Sequence, residues 1–185
     1  MIGAIVTNTG ERMDKAIIAM RHEFAGVRTG RASTAILDRL QVDYYGTMTP
    51  LNQIAGVSVP EAQLLIIQPW DKSALGAIEK AIQRSELGLS PSNDGNVIRL
   101  AFPPLSEERR RDLVKLIKKQ AEEGRVAVRN IRRDANEHLK SEEKNHEISE
   151  DEAKRAEDEV QKVTDKHIAL IDEMSQAKEA EIMQV

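Results

Sequence analysis

The sequence has no cysteine, which excludes disulfides, thiolate metal sites and cysteine nucleophiles. Aromatic residues make up only 3% of it, which argues against a base-stacking platform of the kind that binds single-stranded nucleic acid. No apolar run approaches the roughly 18 residues of a membrane span. The opening MIGAIVTNTGERMDK is too short in its apolar part, and lacks the basic flank, of a secretory signal. A soluble, cytoplasmic chain with no membrane partner is the expectation.

Catalytic motifs are missing as well. There is no G-x-x-x-x-G-K-[ST] loop, no G-x-G-x-x-G after a strand and no H-E-x-x-H. The histidines His22, His138, His146 and His167 lack ligand spacing, so no metal is expected. His167 falls on an apolar seam and reads as a packed structural histidine. The carboxylates of 147–159 read as a helix start and a solvated face. No nucleophile, base and oxyanion donor can be assembled, so the chain is not expected to be an enzyme.

What is present favours helices. The 185 residues are 40% apolar and 31% charged, enough to bury a sizeable core and too apolar for a disordered chain. The net charge of −4 hides a separation. Arg109–Arg133 holds ten basic and three acidic residues, whereas the stretch from His146 onward holds five basic and twelve acidic. One face can therefore attract a polyanion while the molecule as a whole is acidic.

Residues 106–145 predict one long helix. Pro103 and Pro104 end what precedes it, Ser106 suits the N-cap, and Glu107 and Glu108 suit the positive end of the dipole. Its expected seam is Leu113, Ile117, Gln120, Gly124, Ala127 and Ile131, with His138 beyond. In the last segment Ser149 and Glu152 spell a capping box, with Ile148 placed to staple against Ala153. The seam there reads Ala153, Ala156, Val160, Val163, His167, Leu170, Met174, Ala177. A 3,4 repeat of that length favours left-handed, nearly parallel packing. The N-terminal segment repeats the device with Met13, Ile17, Met20, Phe24 and Val27. Three narrow seams imply a three-helix bundle.

Between the first and second of these helices the pattern changes. LQVDYYG, IAGVSV, QLLIIQPW and NVIRLAF are short, β-branched or aromatic, and bounded by Gly, Pro and Asn. A helix over about 72–85 sits among them with Leu75, Ile78 and Ile82 on one face, and PSNDG signals a turn. Tyr44 and Tyr45 read as strand residues, one packed and one half exposed. The fold class is therefore α+β: a long three-helix bundle formed by 1–29 and 106–185, with a small β/α/β domain, 30–105, inserted. RTGRAS and FPPLS carry the chain out and back, so a hinge is expected at 28–32 and 103–106.

The densest feature is EGRVAVRNIRRDAN, residues 123–136, which crowds Arg125, Arg129, Arg132 and Arg133 together. At about 100° per residue, Arg125, Arg129 and Arg132 fall within about 60° of one another, with Lys118 on the same stripe. Lys115, Arg111 and Arg133 flank it, and the expected seam lies over about 100° away. Charge runs are commonly solvated helix backs. This one has mainly Glu122 interleaved, and arginine's planar fork suits phosphate. On the residues alone, a solvated back and a phosphate-binding face both remain open, as does an adaptor that binds protein through its acidic last helix.

VRTGRAS, VDYYGTMTPLNQIA, AIQRSELGLSPSNDG, FPPLSEERRRDLVK, VAVRNIRRDAN and ISEDEAKRAEDEVQKVTD together closely resemble the bacterial ribosome recycling factor family, in order and over essentially the whole chain. Two departures are Thr34 and Ser90, where that family commonly has proline and asparagine; neither lies in the arginine run. The resemblance implies an L shape close to that of transfer RNA and a function of binding. Such a factor occupies the post-termination ribosome and, with elongation factor G and its GTP, splits it into subunits and frees messenger and transfer RNA. It implies a monomer that binds no DNA, needs no cofactor of its own, and contacts 23S ribosomal RNA of the large (50S) subunit. The matching ribosome-binding positions are Arg129 and Arg132, supported by Arg110 and Arg133, with Lys118 and Arg125 as further phosphate contacts. The hinge positions carried over are Arg28, Thr29, Gly30 and Arg31 on one strand and Pro103, Pro104 and Leu105 on the other.

Overall fold

The computed structural model describes residues 1–184. Its elements run α1 (Ile2–Ala25), β1 (Gln41–Tyr44), β2 (Thr47–Pro50), β3 (Ala55–Glu61), β4 (Leu64–Pro69), α2 (Leu75–Arg84), β5 (Pro91–Asn93), β6 (Ile98–Ala101), α3 (Glu107–Lys144) and α4 (Glu150–Met183). They fall into two compact units. One is Met1–Arg28 with the chain from Glu107 onward, and the other is Thr29–Ser106.

The first unit is three helices packed along their apolar stripes. Met13, Ile17, Met20, Phe24 and Val27 of the N-terminal segment are buried as their spacing predicts, with Ile5 extending the row. The α4 cap also forms as read. The Ser149 hydroxyl accepts from the Glu152 amide at 3.1 Å, and the Glu152 carboxylate accepts from the Ser149 amide at 2.8 Å. Ile148 packs with Ala153 in the same apolar cluster. The Glu152 pKa lies below the usual glutamate value because of the backbone hydrogen bond from Ser149, then its hydroxyl.

The seams of α3 and α4 differ from the expected ones. Along α3 the buried positions are Leu113, Ile117, Ala121, Gly124, Val128, Ile131, Ala135 and Leu139. Gln120 and Ala127 are half-buried, and His138 is exposed. Along α4, Thr164, Ile171, Ser175 and Ile182 are buried where Val163, Leu170, Met174 and Ala177 were expected. Along α3 the two seams share Leu113, Ile117, Gly124 and Ile131 and differ in which neighbour, Ala121 or Gln120 and Val128 or Ala127, turns inward between them. Along α4 the cause is the period, because steps of four, four and three recur and a strict 3,4 reading slides off such a stripe by about 20° per heptad. This period does not impose the left-handed supercoil that a seven-residue repeat imposes.

Hydroxyls in these seams are satisfied locally. Thr9 donates to the Ile5 carbonyl and Thr164 to the Val160 carbonyl, each at 2.7 Å. The helices approach closely at Gly124, where an added Cβ would lie 3.1 Å from Met20 Sδ and 3.5 Å from Ile171 Cδ1.

The second unit is a four-stranded antiparallel sheet in the order β3-β4-β6-β5, plus the separate hairpin β1-β2. Leu65 faces Leu100 and Ile67 faces Ile98 across β4 and β6. All four are fully buried, in one core with Leu75, Ile78 and Ile82 of α2. These alternate with exposed Arg99 and Gln68, the period-two pattern of a half-buried sheet. Each such side chain contributes about 1.5–3 kcal/mol when removed from water.

Two strands and one tyrosine depart from expectation. Thr47–Pro50 and Pro91–Asn93 are strands; both are short and neither has a buried residue, so neither shows an alternating apolar signature. The PSNDG turn survives as its second half. There Asp94 Oδ1 accepts from the Asn96 and Val97 amides, both at 2.9 Å, and Gly95 takes φ +90°. Tyr45 is not in a strand. It and Gly46, at φ +51° and +81°, form the two-residue turn that closes β1 onto β2, and both central residues of this turn type need positive φ. The Tyr45 hydroxyl lies 2.7 Å from Ser73 Oγ and 3.2 Å from Asp71 Oδ2, which also accepts from Tyr44 at 3.0 Å. Hydrogen bonds from Ser73, followed by those from the tyrosines, hold the Asp71 pKa below its usual value.

Candidate nucleic-acid interface

The stripe of α3 that carries the arginines is built by a heptad spacing of its own: Arg111, Lys118, Arg125 and Arg132 lie seven residues apart. The true seam brings that stripe nearer to α4 than the expected seam would. Ala121, Val128 and Ala135, each one residue beyond an expected position or between two of them, rotate the buried face toward it. The row therefore borders the α3–α4 junction and does not lie on the far back of the helix.

Arg125 shows the consequence. Its side chain is 22% exposed. Nε donates to Asp172 Oδ1 on α4 at 2.8 Å, Nη2 reaches the same oxygen at 2.7 Å, and Nη1 donates to Glu122 Oε2 at 3.0 Å. Burial opposes the charge, but the hydrogen bonds from Arg125 to Asp172 and Glu122 outweigh it, and the Arg125 pKa is raised. As a phosphate contact Arg125 is thus already committed within the protein.

The remaining arginines are differently placed. Arg129 Nη1 donates to Glu122 Oε1 at 3.3 Å, with its side chain 40% exposed. Arg110 and Arg132 are half-buried, whereas Arg133 and Lys118 are exposed. Arg110, Arg132, Arg133 and Lys118 have no ion pair among the described residues. Arg111, on the same stripe, is paired with Glu107. The structure thus brings Lys118, Arg129, Arg132 and Arg133 to one side of α3, and Arg110 lies near its first turn. Glu122 was legible as a helical neighbour of Arg125. Asp172 was not, because only packing brings α4 to that level of α3.

Of the expected hinge residues, Arg28 ends the first stretch of the first unit, and the others, Thr29, Gly30, Arg31, Pro103, Pro104 and Leu105, lie within the second. Gly30 has φ +80°, and a Cβ there would lie 3.2 Å from Leu105 Cγ. The Ala32 amide donates to Ala62 O at 2.7 Å, and the Phe102 amide donates to Gln63 O at 2.8 Å. Both connecting segments are therefore fastened to the same β3–β4 turn. Arg28, Arg31, Pro103 and Pro104 are exposed, and Thr29 is half-buried.

Among the described residues, no group of three or more histidines and carboxylates could hold a metal ion. No described helix is long and apolar enough to cross a membrane.

Comparison with known proteins assigns the architecture to a family. The family model described as ribosome recycling factor matches residues 20–183. The chain is 58% identical to the ribosome-recycling factor of Carboxydothermus hydrogenoformans over 185 residues, covering 100% of both chains. It is 59% identical to that of Halalkalibacterium halodurans over 181 residues, covering 98% of each. A solution structure of a ribosome recycling factor is similar with a TM-score of 0.79 at 49% identity, covering 100% of this chain and 98% of the other. A second similar structure, with a TM-score of 0.66 at 50% identity and full coverage of both chains, is the T. thermophilus recycling factor with E. coli elongation factor G, bound to the E. coli post-termination complex. On full-length identity, matching fold and family match together, this chain belongs to the ribosome recycling factor family, and its function lies in ribosome recycling.

Proposed function

We propose that the α3 face carrying Arg110, Arg129, Arg132 and Arg133, with Lys118, binds phosphates of 23S ribosomal RNA in the large subunit of the post-termination ribosome. In this reading the chain acts there with elongation factor G, which binds and hydrolyses GTP, to separate the subunits and free messenger and transfer RNA. The inserted unit is the part on which the GTPase acts, while the arginine face keeps its grip. The chain itself contributes binding and holds no cofactor. A related factor bound with elongation factor G to the post-termination complex supports the choice of partners.

The observation that carries the RNA assignment is the contrast along one stripe. Arg125 is bound by Asp172 and Glu122, whereas Arg132 and Arg133 have no ion pair among the described residues although they stand beside it. Guanidiniums left with open forks on a helix suit bidentate phosphate contact, and recognition of this kind reads the shape and backbone of folded RNA.

The test is binding to large ribosomal subunits over a salt series. If about four phosphates are neutralised, log affinity falls against log salt with a slope of about −3 to −4, and Arg132→Ala flattens it by about one. Salt-insensitive binding that Arg132→Ala leaves unchanged would reassign the row to a solvated surface.

A further inference from the structure

Four charges form a ladder across α4 and α3, in the order Asp172, Arg125, Glu122, Arg129. Its anchored end is Arg125, whose Nε and Nη2 both engage Asp172 Oδ1, at 2.8 and 2.7 Å. The third bond of Arg125, from Nη1 at 3.0 Å, fixes one oxygen of Glu122. The other Glu122 oxygen faces Arg129 Nη1 at 3.3 Å. Arg129 thus spends one N–H and keeps four of the five in a guanidinium. We propose that Glu122 is a positioning residue for ribosome binding: braced by Arg125 and Asp172, it holds the Arg129 guanidinium in place before RNA arrives. This rests on the phosphate-binding reading of the arginine face.

Two physical effects oppose each other at Glu122. A carboxylate beside a phosphate-binding row repels phosphate, so its removal should tighten binding. A long side chain ordered in advance, in contrast, loses less freedom on binding. Positioning prevails here because the Glu122 charge is already offset by two guanidiniums, at 3.0 and 3.3 Å. Neutralising Glu122 therefore relieves little repulsion, while it releases Arg129 from its only ion pair among the described residues. Asp172, on a different helix and outside the row, acts through the same ladder.

A double-mutant cycle tests this with the full-length chain and large ribosomal subunits at one fixed salt concentration. Wild type, Glu122→Gln, Arg129→Ala and the double variant are compared, with Arg132→Ala as a control on the face itself. Glu122→Gln is expected to weaken binding about two- to fivefold, the range of an exposed ion pair, and to have no effect once Arg129 is alanine. Asp172→Asn should behave in the same way. Thermal unfolding of each variant verifies that it is folded, which is expected because the Glu122 side chain is 55% exposed. Tighter or unchanged binding in Glu122→Gln overturns the proposal, as does an equal loss in both backgrounds. If Arg132→Ala and Arg129→Ala both leave affinity and salt slope unaltered, the phosphate-binding reading itself falls. A loss in those two variants together with a gain in Glu122→Gln sinks the positioning role alone.

Discussion

His167 of α4 sets Nε2 2.7 Å from Asp14 Oδ1 on α1, while its Nδ1 lies 2.7 Å from the Val163 carbonyl oxygen. The residue is 8% exposed and ties the first helix to the last within the packed seam. A buried polar group in such a place needs partners on both sides, and this one has them. Its place on the seam identified it as structural; its partner across the chain came from packing.

Replacing His167 with alanine removes both bonds and leaves a cavity, so a loss of about 2–3 kcal/mol is expected in urea unfolding. Asp14→Ala, at a 67% exposed carboxylate, should cost less than about 1 kcal/mol. Equal costs would mean that the bond to Asp14, and not the packed ring, carries the contribution.

At Gly124 two terms nearly cancel. Alanine gains about 1 kcal/mol of helix propensity, but its Cβ would press on Met20 Sδ at 3.1 Å, the far end of a flexible side chain. Gly124→Ala should therefore change stability by less than about 1 kcal/mol, whereas Gly124→Leu overpacks the crossing and costs about 1–3 kcal/mol. Thermal unfolding of the pair distinguishes a tight crossing from a loose one, since a loose one would accept leucine.

Gly30→Ala meets both a backbone and a steric objection. The φ of +80° is unfavourable for any residue with a Cβ, at about 1–2 kcal/mol, and Leu105 Cγ stands 3.2 Å away. Adding Leu105→Ala opens the space but leaves φ as it was, so it should not restore stability. Hydrogen exchange at the β4 and β6 amides would register the loss, and full rescue by the second substitution would assign the cost to contact alone.

The α4 cap predicts an acid dependence. The folded-state pKa of Glu152 lies below its usual value of 4.5, so its stabilising contribution is complete above that value and is lost as pH falls through the lower one. Urea midpoints should therefore drop on acidification below the ordinary glutamate range, and drop less in Glu152→Gln. Ser149→Ala should cost about 1 kcal/mol at neutral pH. An identical acid response in Glu152→Gln would place the titration elsewhere.

Local signals were read correctly where chemistry and position coincide within a few residues. The Ser149–Glu152 box, the Met13–Val27 seam and the Leu75, Ile78, Ile82 face of α2 each depend on one helix and its own spacing. The misread positions depend on more than local spacing. In α4 a small difference in period shifted the stripe to Thr164, Ile171 and Ser175, and in α3 packing chose Ala121 and Val128 over the residues just before them. β2 and β5 escaped notice because they are short and have no buried residue for alternation to show.

By itself the sequence determined three amphipathic helices, an inserted β-rich segment between them and a dense arginine run, because caps, turn residues and apolar periodicity act through nearby backbone. Only the tertiary structure decided which face of α3 meets α4, and with it the fate of Arg125. Asp172 and Arg125 are 47 residues apart in the chain. Their bond exists because two antiparallel helices, packed at a particular rotation, bring a carboxylate to one guanidinium of the row and none from α4 to Arg129, Arg132 or Arg133 among the described residues.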